Sequence, residues 1–343
     1  MQAMRLSCIM LLVLATLPLS AETWDLSTID DAGIVGQHAA IATYFGTTHV
    51  VYYDATNGDL KYAVTGDDKD WKIETVDSAG NVGEWAAIAV DVKGVVHISY
   101  YDATNSDLKY GMKAAGAAWK LEVVDSGNVG MYSSIAVDSS YFVYISYMEM
   151  AGDNLKCVRG QAGNWMPMLT DISSSVGWGS SMAVDPNKRG HISYNDDINH
   201  RLRYATNANG SFDVAVLDPI DVGVPTAIAV DAFGVVHIAY LVNGQLHYAH
   251  NLPGVFLSET VDASIGPEEW DLSITTTADG RPIITYHDGE QGMLKLARKN
   301  EEWTWTKDTL DKWGRFNSVC VDKKGRIRIA YFGVEGDLHY AIN

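Results

Sequence analysis

Short runs of alternating apolar and polar residues fill almost the whole chain, and clusters of glycine, asparagine and aspartate separate them. A typical stretch, from Ile88 to Asp125, contains the runs IAVD, GVVHISYYD, DLKYG and WKLEVVD in that order. β-Branched and aromatic residues in such runs, bounded by turn residues, predict β-strands. Apolar residues at helical spacing are almost absent. The chain is therefore predicted to be all-β.

The strands belong to a repeat. A glycine precedes an apolar strand in each unit, and successive glycines are 43 to 48 residues apart. These anchor glycines are Gly36, Gly83, Gly130, Gly177, Gly223, Gly266 and Gly314. Each complete unit has four short strands, called a, b, c and d in chain order. Four antiparallel strands at this period are typical of propeller blades, so the sequence predicts a seven-bladed β-propeller.

The ends of the chain predict how the ring closes. The seventh unit stops at Asn343 before any strand d, whereas the segment TWDLSTIDDAGIV ahead of Gly36 has the pattern of a strand d. An N-terminal strand that completes the last blade would remove the open sheet edge. Residues 22–343 are then one propeller domain, with no segment left for a second.

The first 21 residues are predicted to be a signal peptide. Arg5 precedes an apolar run from Ile9 to Leu19, and the small residues Ser20 and Ala21 follow. This pattern is typical of a secretory signal, and the run is too short to span a bilayer. We expect cleavage after Ala21 and an extracellular or periplasmic location.

The net charge limits the partners. A formal charge of −18 repels nucleic acid and anionic membranes, and no later stretch is apolar enough to insert in a bilayer. We expect neither partner, and a monomer. Cys157 and Cys320 lie in distant units and are expected to be free, buried thiols.

The repeat IAVDxxGxxHISYYDxxNxDLKYA resembles two known types. One is the NHL-type propeller repeat with its IAVDxxGxxYVAD core, and the other is the secreted sialidase-like, neuraminidase-repeat superfamily. The resemblance covers all seven units and implies a propeller. The chain has no copy of the Asp-box SxDxGxTW, and its arginines do not match the three that bind sialate in sialidases. The resemblance therefore implies the architecture rather than sialidase activity.

Three residue types recur so often that scaffold roles are favoured. Aspartate ends strand a in five units, and we expect its side chain to cap a tight turn. Histidine opens strand b in four units and tyrosine recurs in strand c of five, where we expect hydrogen bonding and packing. These residues are Asp91, Asp138, Asp185, Asp231 and Asp322; His49, His97, His191 and His237; and Tyr62, Tyr110, Tyr204, Tyr248 and Tyr340.

The segment YYDATNGDLKYA, which starts at Tyr52, recurs as YYDATNSDLKYG from Tyr100. The oxygens of Asp54, Asn57 and Asp59 are spaced somewhat like those of a Ca²⁺ loop. A b–c hairpin also needs Asx turns, and this interpretation is favoured. We therefore predict no metal site and no cofactor, with Ca²⁺ as the alternative.

Function is expected where the units differ. The d–a and b–c loops lie at the same end of every blade and form a mouth around the axis. Aromatic rings can stack on the CH faces of a sugar while carboxylates accept hydrogens from its hydroxyls. Alternatively, the rings fill gaps between blades. The predicted ligand-binding residues are Trp85, Tyr132, Trp178, Trp270, Glu84, Asp54, Asp102 and Asp196, and Phe316 occupies an equivalent loop.

A second set of mouth residues could be catalytic: His38, Tyr53, His287, Asp288 and Arg315, from units six, seven and one. Histidine and tyrosine suit acid–base roles and arginine could hold a carboxylate, as a polysaccharide lyase requires. A glycosidase could instead use two of Asp54, Asp102 and Asp288. The favoured function is a lectin-like binding module for a carbohydrate or similar ligand. These enzymes and a protein-interaction scaffold are the alternatives, so whether the protein is an enzyme stays open.

Overall fold

The computed structural model describes residues 23–173, 175–218, 222–252, 254–266 and 271–343. The predicted signal peptide lies outside these ranges. Within them the chain forms 28 strands, and no helix there has the length and apolar character needed to cross a membrane.

The strands are arranged in seven four-stranded antiparallel sheets, which are the blades. The N-terminal strand is β1 (Asp25–Asp30). Blade 1 contains β2 (Val35–Tyr44), β3 (Thr47–Asp54), β4 (Asp59–Thr65) and β5 (Lys72–Asp77), and blade 2 contains β6 (Val82–Val90), β7 (Val96–Asp102), β8 (Asp107–Lys113) and β9 (Lys120–Asp125). Blade 3 contains β10 (Val129–Val137), β11 (Val143–Glu149), β12 (Asn154–Gln161) and β13 (Asn164–Asp171), and blade 4 contains β14 (Val176–Val184), β15 (Gly190–Asp196), β16 (Arg201–Thr206) and β17 (Asp213–Asp218). Blade 5 contains β18 (Val222–Val230), β19 (Val236–Val242), β20 (Gln245–His250) and β21 (Leu257–Asp262), and blade 6 contains β22 (Leu272–Thr276), β23 (Pro282–Asp288), β24 (Met293–Lys299) and β25 (Trp305–Lys312). Blade 7 contains β26 (Arg315–Val321), β27 (Ile327–Phe332) and β28 (Leu338–Ile342).

The first strand closes the ring. β1 pairs antiparallel with β28, with Asp25 opposite Ile342 and Thr28 opposite His339, so blade 7 has the order β26-β27-β28-β1. The predicted all-β, seven-bladed propeller and its closure by an N-terminal strand are therefore confirmed.

The hydrophobic core lies between the blades. Val51 and Leu60 of blade 1 pack with Ile98 of blade 2 in one buried cluster, and each neighbouring pair of blades shares such a cluster. The anchor glycines permit this close approach. Gly83 has a φ of +112°, and a Cβ added there would lie 2.9 Å from the Cα of Leu60. A side chain at this position would push the two blades apart.

A tyrosine–aspartate hydrogen bond, here called the clasp, joins every blade to the next. The tyrosine lies in strand b, and its hydroxyl donates to an aspartate at or near the end of strand d in the preceding blade, at 2.6 to 3.0 Å. The pairs are Tyr52–Asp30, Tyr100–Asp77, Tyr147–Asp125, Tyr194–Asp171, Tyr240–Asp218, Tyr286–Asp262 and Tyr331–Asp311. The first pair uses β1, so the same bond that joins consecutive blades also closes the ring.

In several clasps a cation from strand c adds to the hydrogen bond. Lys61 lies 2.5 Å from Asp30, and Lys109 pairs with Asp77. Burial alone would raise the pKa of each aspartate, but the bonds from lysine and tyrosine outweigh it, so the pKa values of Asp30 and Asp77 lie below the ordinary 3.8. Both carboxylates therefore stay ionised in the folded protein.

The recurrent histidines and tyrosines are scaffold, as predicted. In four blades the buried histidine of strand b hydrogen-bonds the tyrosine hydroxyl of strand c through Nδ1, at 2.5 to 2.7 Å. The tyrosine ring also contacts an aromatic ring of the next blade; Tyr62 and Trp119, for example, meet edge to face with centroids 5.2 Å apart. Cys157 is buried, Cys320 is half-buried, and both are free thiols.

The predicted turn aspartates are also confirmed. Asp91 Oδ1 accepts hydrogen bonds from the backbone N–H groups of Lys93 and Val95, at 2.8 and 2.9 Å. The N–H of Gly94 donates to the Asp91 carbonyl at 2.9 Å. The same side-chain bonds to the chain four residues on recur at Asp138, Asp185, Asp231 and Asp322.

A Tyr100→Phe substitution tests the clasp. Loss of the hydroxyl leaves the buried carboxylate of Asp77 without one of its donors, and we expect the free energy of unfolding to fall by about 1–3 kcal/mol. Urea denaturation would measure it. The control is Tyr101→Phe, at the adjacent buried tyrosine, whose hydroxyl makes no hydrogen bond among the described residues. Equal effects of the two substitutions would contradict a special role for the clasp.

Stability should also fall in acid, in two stages. Burial lowers the pKa of His49 from 6.5 to about 4. Between these two pH values His49 is protonated in the unfolded chain but not in the folded protein, so a fall in pH favours unfolding. This histidine should remove about 2–3 kcal/mol of stability across that window. Below about pH 4, aspartates with lowered pKa values add a second loss, because they bind protons in the unfolded chain at a pH where they are still ionised in the folded protein. Asp322, with a pKa of about 2, sets the lower limit of this stage.

Urea unfolding between pH 7.5 and 3 would test this. His49→Gln should reduce the slope between pH 6.5 and 4 and leave the second stage unchanged. A free energy of unfolding that does not change between pH 7 and 4 would contradict the prediction.

Candidate functional site

A cavity of about 450 Å³ lies on the propeller axis at the end formed by the d–a and b–c loops. Every blade contributes residues from the start of its inner strand. The cavity is lined by His38 and Ala39; Trp85 and Ala86; Tyr132, Ser133 and Ser134; Gly179, Ser180 and Ser181; Pro225, Thr226, Ala227 and Ile228; Asp271, Leu272, Ser273 and Ile274; and Arg315, Phe316, Asn317 and Ser318. The axial cavity is thus lined by the equivalent segment of all seven blades.

Aromatic rings form a continuous arc on one side of this mouth. The ring centroids of Phe316 and His38 are 4.6 Å apart, those of His38 and Trp85 are 5.1 Å apart, and those of Trp85 and Tyr132 are 5.2 Å apart. Trp178 extends the arc, 5.6 Å from Tyr132. These distances are typical of interacting aromatic pairs. We call these five residues, from blades 7, 1, 2, 3 and 4, the aromatic arc.

Four members of the arc have a left-handed backbone. His38, Trp85, Tyr132 and Phe316 have φ values of +52°, +49°, +53° and +47°. Each lies at an irregularity where the pairing register between strands a and b shifts. Such a bulge redirects a side chain, and the left-handed conformation costs a non-glycine residue about 1–2 kcal/mol. Backbone strain of this kind is concentrated at functional sites in proteins.

Hydroxyl groups of the next blade hold this strained backbone. Ser133 Oγ donates to the Trp85 carbonyl at 2.8 Å, and Ser180 Oγ donates to the Tyr132 carbonyl at 3.0 Å. Thr226 Oγ1 bonds the carbonyl of Gly179, the blade 4 residue at the same position, at 3.1 Å. The rings are therefore fixed in place before any ligand arrives.

A polar ion pair lies in the mouth beside one end of the aromatic arc. Arg315 Nε donates to Asp271 Oδ2 at 3.0 Å, and both residues line the cavity. His287 is 3% exposed, its Nδ1–H donates to the Trp313 carbonyl at 2.7 Å, and burial lowers its pKa. His287 therefore lies behind the cavity wall. Asp271, which no sequence signal marked, directly precedes strand β22.

His38 and Tyr53 lie near each other at the mouth, with ring centroids 6.4 Å apart. Burial lowers the pKa of His38 from 6.5 to about 4, so the imidazole is neutral at pH 7. The Tyr53 hydroxyl donates to Asn81 Oδ1 at 2.6 Å. Of the predicted catalytic set, only His38 and Arg315 line the described cavity, and Phe316 separates them.

The predicted carboxylates at the ends of the b strands do not line this cavity. Asp54, Asp102, Asp196 and Asp288 are at most 2% exposed. Each accepts a hydrogen bond from a backbone N–H three residues later, and each lies within ion-pair distance of a strand c cation. These contacts stabilise the b–c hairpins. The four carboxylates are therefore poorly suited to act as the catalytic pair of a glycosidase.

Some of the other predicted ligand-binding residues lie at the mouth, and others do not. Trp85 and Tyr132 line the cavity, and Trp178 lies at the edge of the arc, with its Nε1–H donating to Ser175 at 3.2 Å. Glu84 is half-buried beside them and accepts a hydrogen bond from Asn81. Trp270 lies outside the described residues. Among those that are described, no group of three or more His, Cys, Asp or Glu side chains could hold a metal ion.

Comparison with known proteins identifies the fold. No family model matches the chain, and no curated protein matches it. Three of the similar solved structures are a fucose-specific lectin from Aleuria aurantia (13% identity, 83% of this chain and 98% of that chain, TM-score 0.57), the polysaccharide lyase Uly1 (12%, 90% and 90%, 0.57) and the NanB sialidase from Streptococcus pneumoniae (10%, 95% and 70%, 0.50). At these identities the likeness shows the β-propeller fold alone.

A pair of substitutions at Trp85 tests the backbone strain. Both Trp85→Gly and Trp85→Ala remove the ring, but glycine tolerates a φ of +49° and alanine does not. We therefore expect the glycine variant to be more stable by about 1 kcal/mol in urea unfolding. The control is the same pair at Trp119, whose φ is not positive. There glycine should be the less stable variant, by about 0.5–1 kcal/mol, and the same order at both sites would contradict the prediction.

Proposed function

We propose that this protein binds a carbohydrate in the axial cavity, against the aromatic arc. One observation carries the proposal. Four neighbouring inner strands each place a large ring at the mouth, and the backbone of each ring-bearing residue is strained. Packing alone gives no reason to hold His38, Trp85, Tyr132 and Phe316 in a left-handed conformation. A site that presents rings to a ligand does.

The chemistry of the lining suits a sugar. Apolar CH faces can stack on Trp85 and Tyr132, while hydroxyl groups of the ligand can hydrogen-bond Asp271 and Arg315 in the same lining. A volume of about 450 Å³ falls in the range of small-ligand pockets. The rings come from blades 7, 1, 2, 3 and 4 and the Arg315–Asp271 pair from blades 7 and 6, so we expect one asymmetric site per molecule.

The structural neighbours support this class of ligand. Three of them are a fucose-specific lectin, a polysaccharide lyase and a sialidase, names that each refer to carbohydrate binding or cleavage. We further propose that the chain is exported, because residues 1–21 have the pattern of a secretory signal.

A polysaccharide lyase is the second candidate. The neutral imidazole of His38 could take up a proton, and Arg315 could hold a uronate carboxylate. Lectin-like binding is preferred because the Tyr53 hydroxyl, which would serve as the acid, is held by Asn81. The second carboxylate that a glycosidase needs is absent from the described lining, where Asp271 is the acidic residue.

The test is incubation of the protein with a panel of neutral and uronate-bearing polysaccharides. Depletion of protein onto the polymer and release of new chain ends are read from the same tube. We expect depletion without new ends, weakened about tenfold or more by Trp85→Gly because a stacked ring is lost. The control is Trp303→Ala, at a tryptophan 47% exposed in a c–d turn at the other end of the ring.

New chain ends that disappear in His38→Ala would make the protein a lyase. Binding that Trp85→Gly and Trp303→Ala weaken equally would place the ligand elsewhere. Neither depletion nor new ends on any polymer would overturn both carbohydrate proposals and favour a protein partner.

A further inference from the structure

The buried histidines of strand b have two partners in three of the blades. Nδ1 meets a tyrosine hydroxyl, and Nε2 faces the aspartate that ends strand a, at 3.4 to 3.6 Å. The pairs are His97 with Asp91, His191 with Asp185 and His237 with Asp231. The negative charge of a carboxylate at this distance favours a proton on Nε2, so that Nδ1 accepts from the tyrosine.

Blade 1 keeps the histidine and the tyrosine but lacks the aspartate. The Tyr62 hydroxyl lies 2.5 Å from His49 Nδ1, as in the other blades. Tyr44 occupies the aspartate position, and its hydroxyl donates to the Val92 carbonyl of blade 2 at 2.8 Å. No carboxylate of the described chain lies within ion-pair distance of His49. The Nε2 atom of His49 therefore faces a place that a carboxylate fills in three other blades.

That place opens into a cavity. It lies between blades 1 and 2 at the end of the ring opposite the axial mouth, and its volume is about 560 Å³. Its walls include His49, Tyr62 and three lysines, Lys72, Lys93 and Lys113. Lys113 pairs with Glu74, and the Lys93 amino group lies 3.7 Å from the centre of the Tyr141 ring. Lys72 has no carboxylate within 4 Å in the described ranges, so the cavity has an excess of positive charge in a protein of formal charge −18.

The corresponding cavity between blades 5 and 6 shows the opposite charge. It measures about 190 Å³ and includes His237, with Asp231 where blade 1 has Tyr44. Its wall also includes Asp279 in the a–b turn, where blade 2 has Lys93. The cavity between blades 5 and 6 thus contains carboxylates of the protein itself. The equivalent cavity between blades 1 and 2 is larger and is lined by lysines.

We propose that the cavity between blades 1 and 2 binds a small carboxylate-bearing molecule of the sugar-acid type. The ligand carboxylate takes the place of the missing aspartate, accepts the Nε2–H of His49, and is neutralised by Lys72 and Lys93. The remaining volume accommodates one or two sugar rings beside Tyr62. This site is separate from the axial cavity and does not depend on its function.

Calorimetric titration at fixed ionic strength, with glucuronate as the probe and glucose as its neutral analogue, tests the proposal. We expect saturable binding of glucuronate and none of glucose. Tyr44→Asp restores the aspartate of the other blades and should weaken glucuronate binding about tenfold or more, because the built-in carboxylate occupies the same place. Lys93→Gln should weaken it several-fold through loss of one charge.

Two controls separate the sites. Lys324 occupies the position of Lys93 in the a–b turn of blade 7, and Lys324→Gln should leave binding unchanged. Trp85→Gly should also leave it unchanged. Loss of glucuronate binding in Trp85→Gly would place this ligand in the axial cavity, which would overturn the present inference while supporting the proposed function.

The imidazole ¹⁵N and ¹H NMR signals of the unmodified protein provide a readout that needs no variant. The Nε2–H signal of His49 should shift with glucuronate and not with glucose. Absence of any shift at saturating glucuronate, or equal glucuronate affinity in the Tyr44→Asp variant, would refute the site.

Discussion

The clasp between a strand b tyrosine and a strand d aspartate is the interaction on which the rest of the structure depends. A four-stranded sheet cannot bury both of its faces alone, so each blade needs the next one at a fixed distance. Seven tyrosine hydroxyls set that distance through hydrogen bonds to aspartate side chains of the preceding blade. Because Asp30 belongs to β1, the ring closes with the bond it uses everywhere else. The inner strands, and the cavity that they enclose, take their positions from this ring.

Such a ring can hold local strain that a single blade could not. The left-handed residues of the aromatic arc lie on inner strands, where each strand contacts a neighbour on both sides. The carbonyl of Trp85 is held by Ser133 of blade 3, and that of Tyr132 by Ser180 of blade 4. Relaxing one strained residue would break a bond to the next blade. The strain at the mouth is therefore maintained by contacts between blades rather than by the strand that contains it.

Much of the fold could be predicted because the same strand pattern occurs in seven units of the sequence. The anchor glycines, the turn aspartates such as Asp91 and the ring closure all follow from local spacing, and the recurrence of His97 and Tyr110 correctly indicated scaffold. The clasp was not visible in the same way, since Tyr100 and Asp77 are adjacent only after two blades pack. Asp54 and Asp102 were expected at the mouth because they end strands there. Their turns consume both carboxylate oxygens, and only the hydrogen bonds to Asn57 and Asn105 reveal it.

The arrangement of the two cavities follows from how a repeat can change. A residue that makes the same contact in every blade cannot be replaced without weakening the ring. A residue that only lines the cavity between its own blade and the next can be replaced. Exchange of the turn aspartate for Tyr44 in blade 1 leaves the His49–Tyr62 bond intact and frees the space and the hydrogen-bond donor that the carboxylate used. At the other end, replacing the arc position by Gly179 or Pro225 in blades 4 and 5 restricts the rings to one side of the axis. Both cavities therefore lie where a blade lacks a repeated residue while the clasps on either side stay complete.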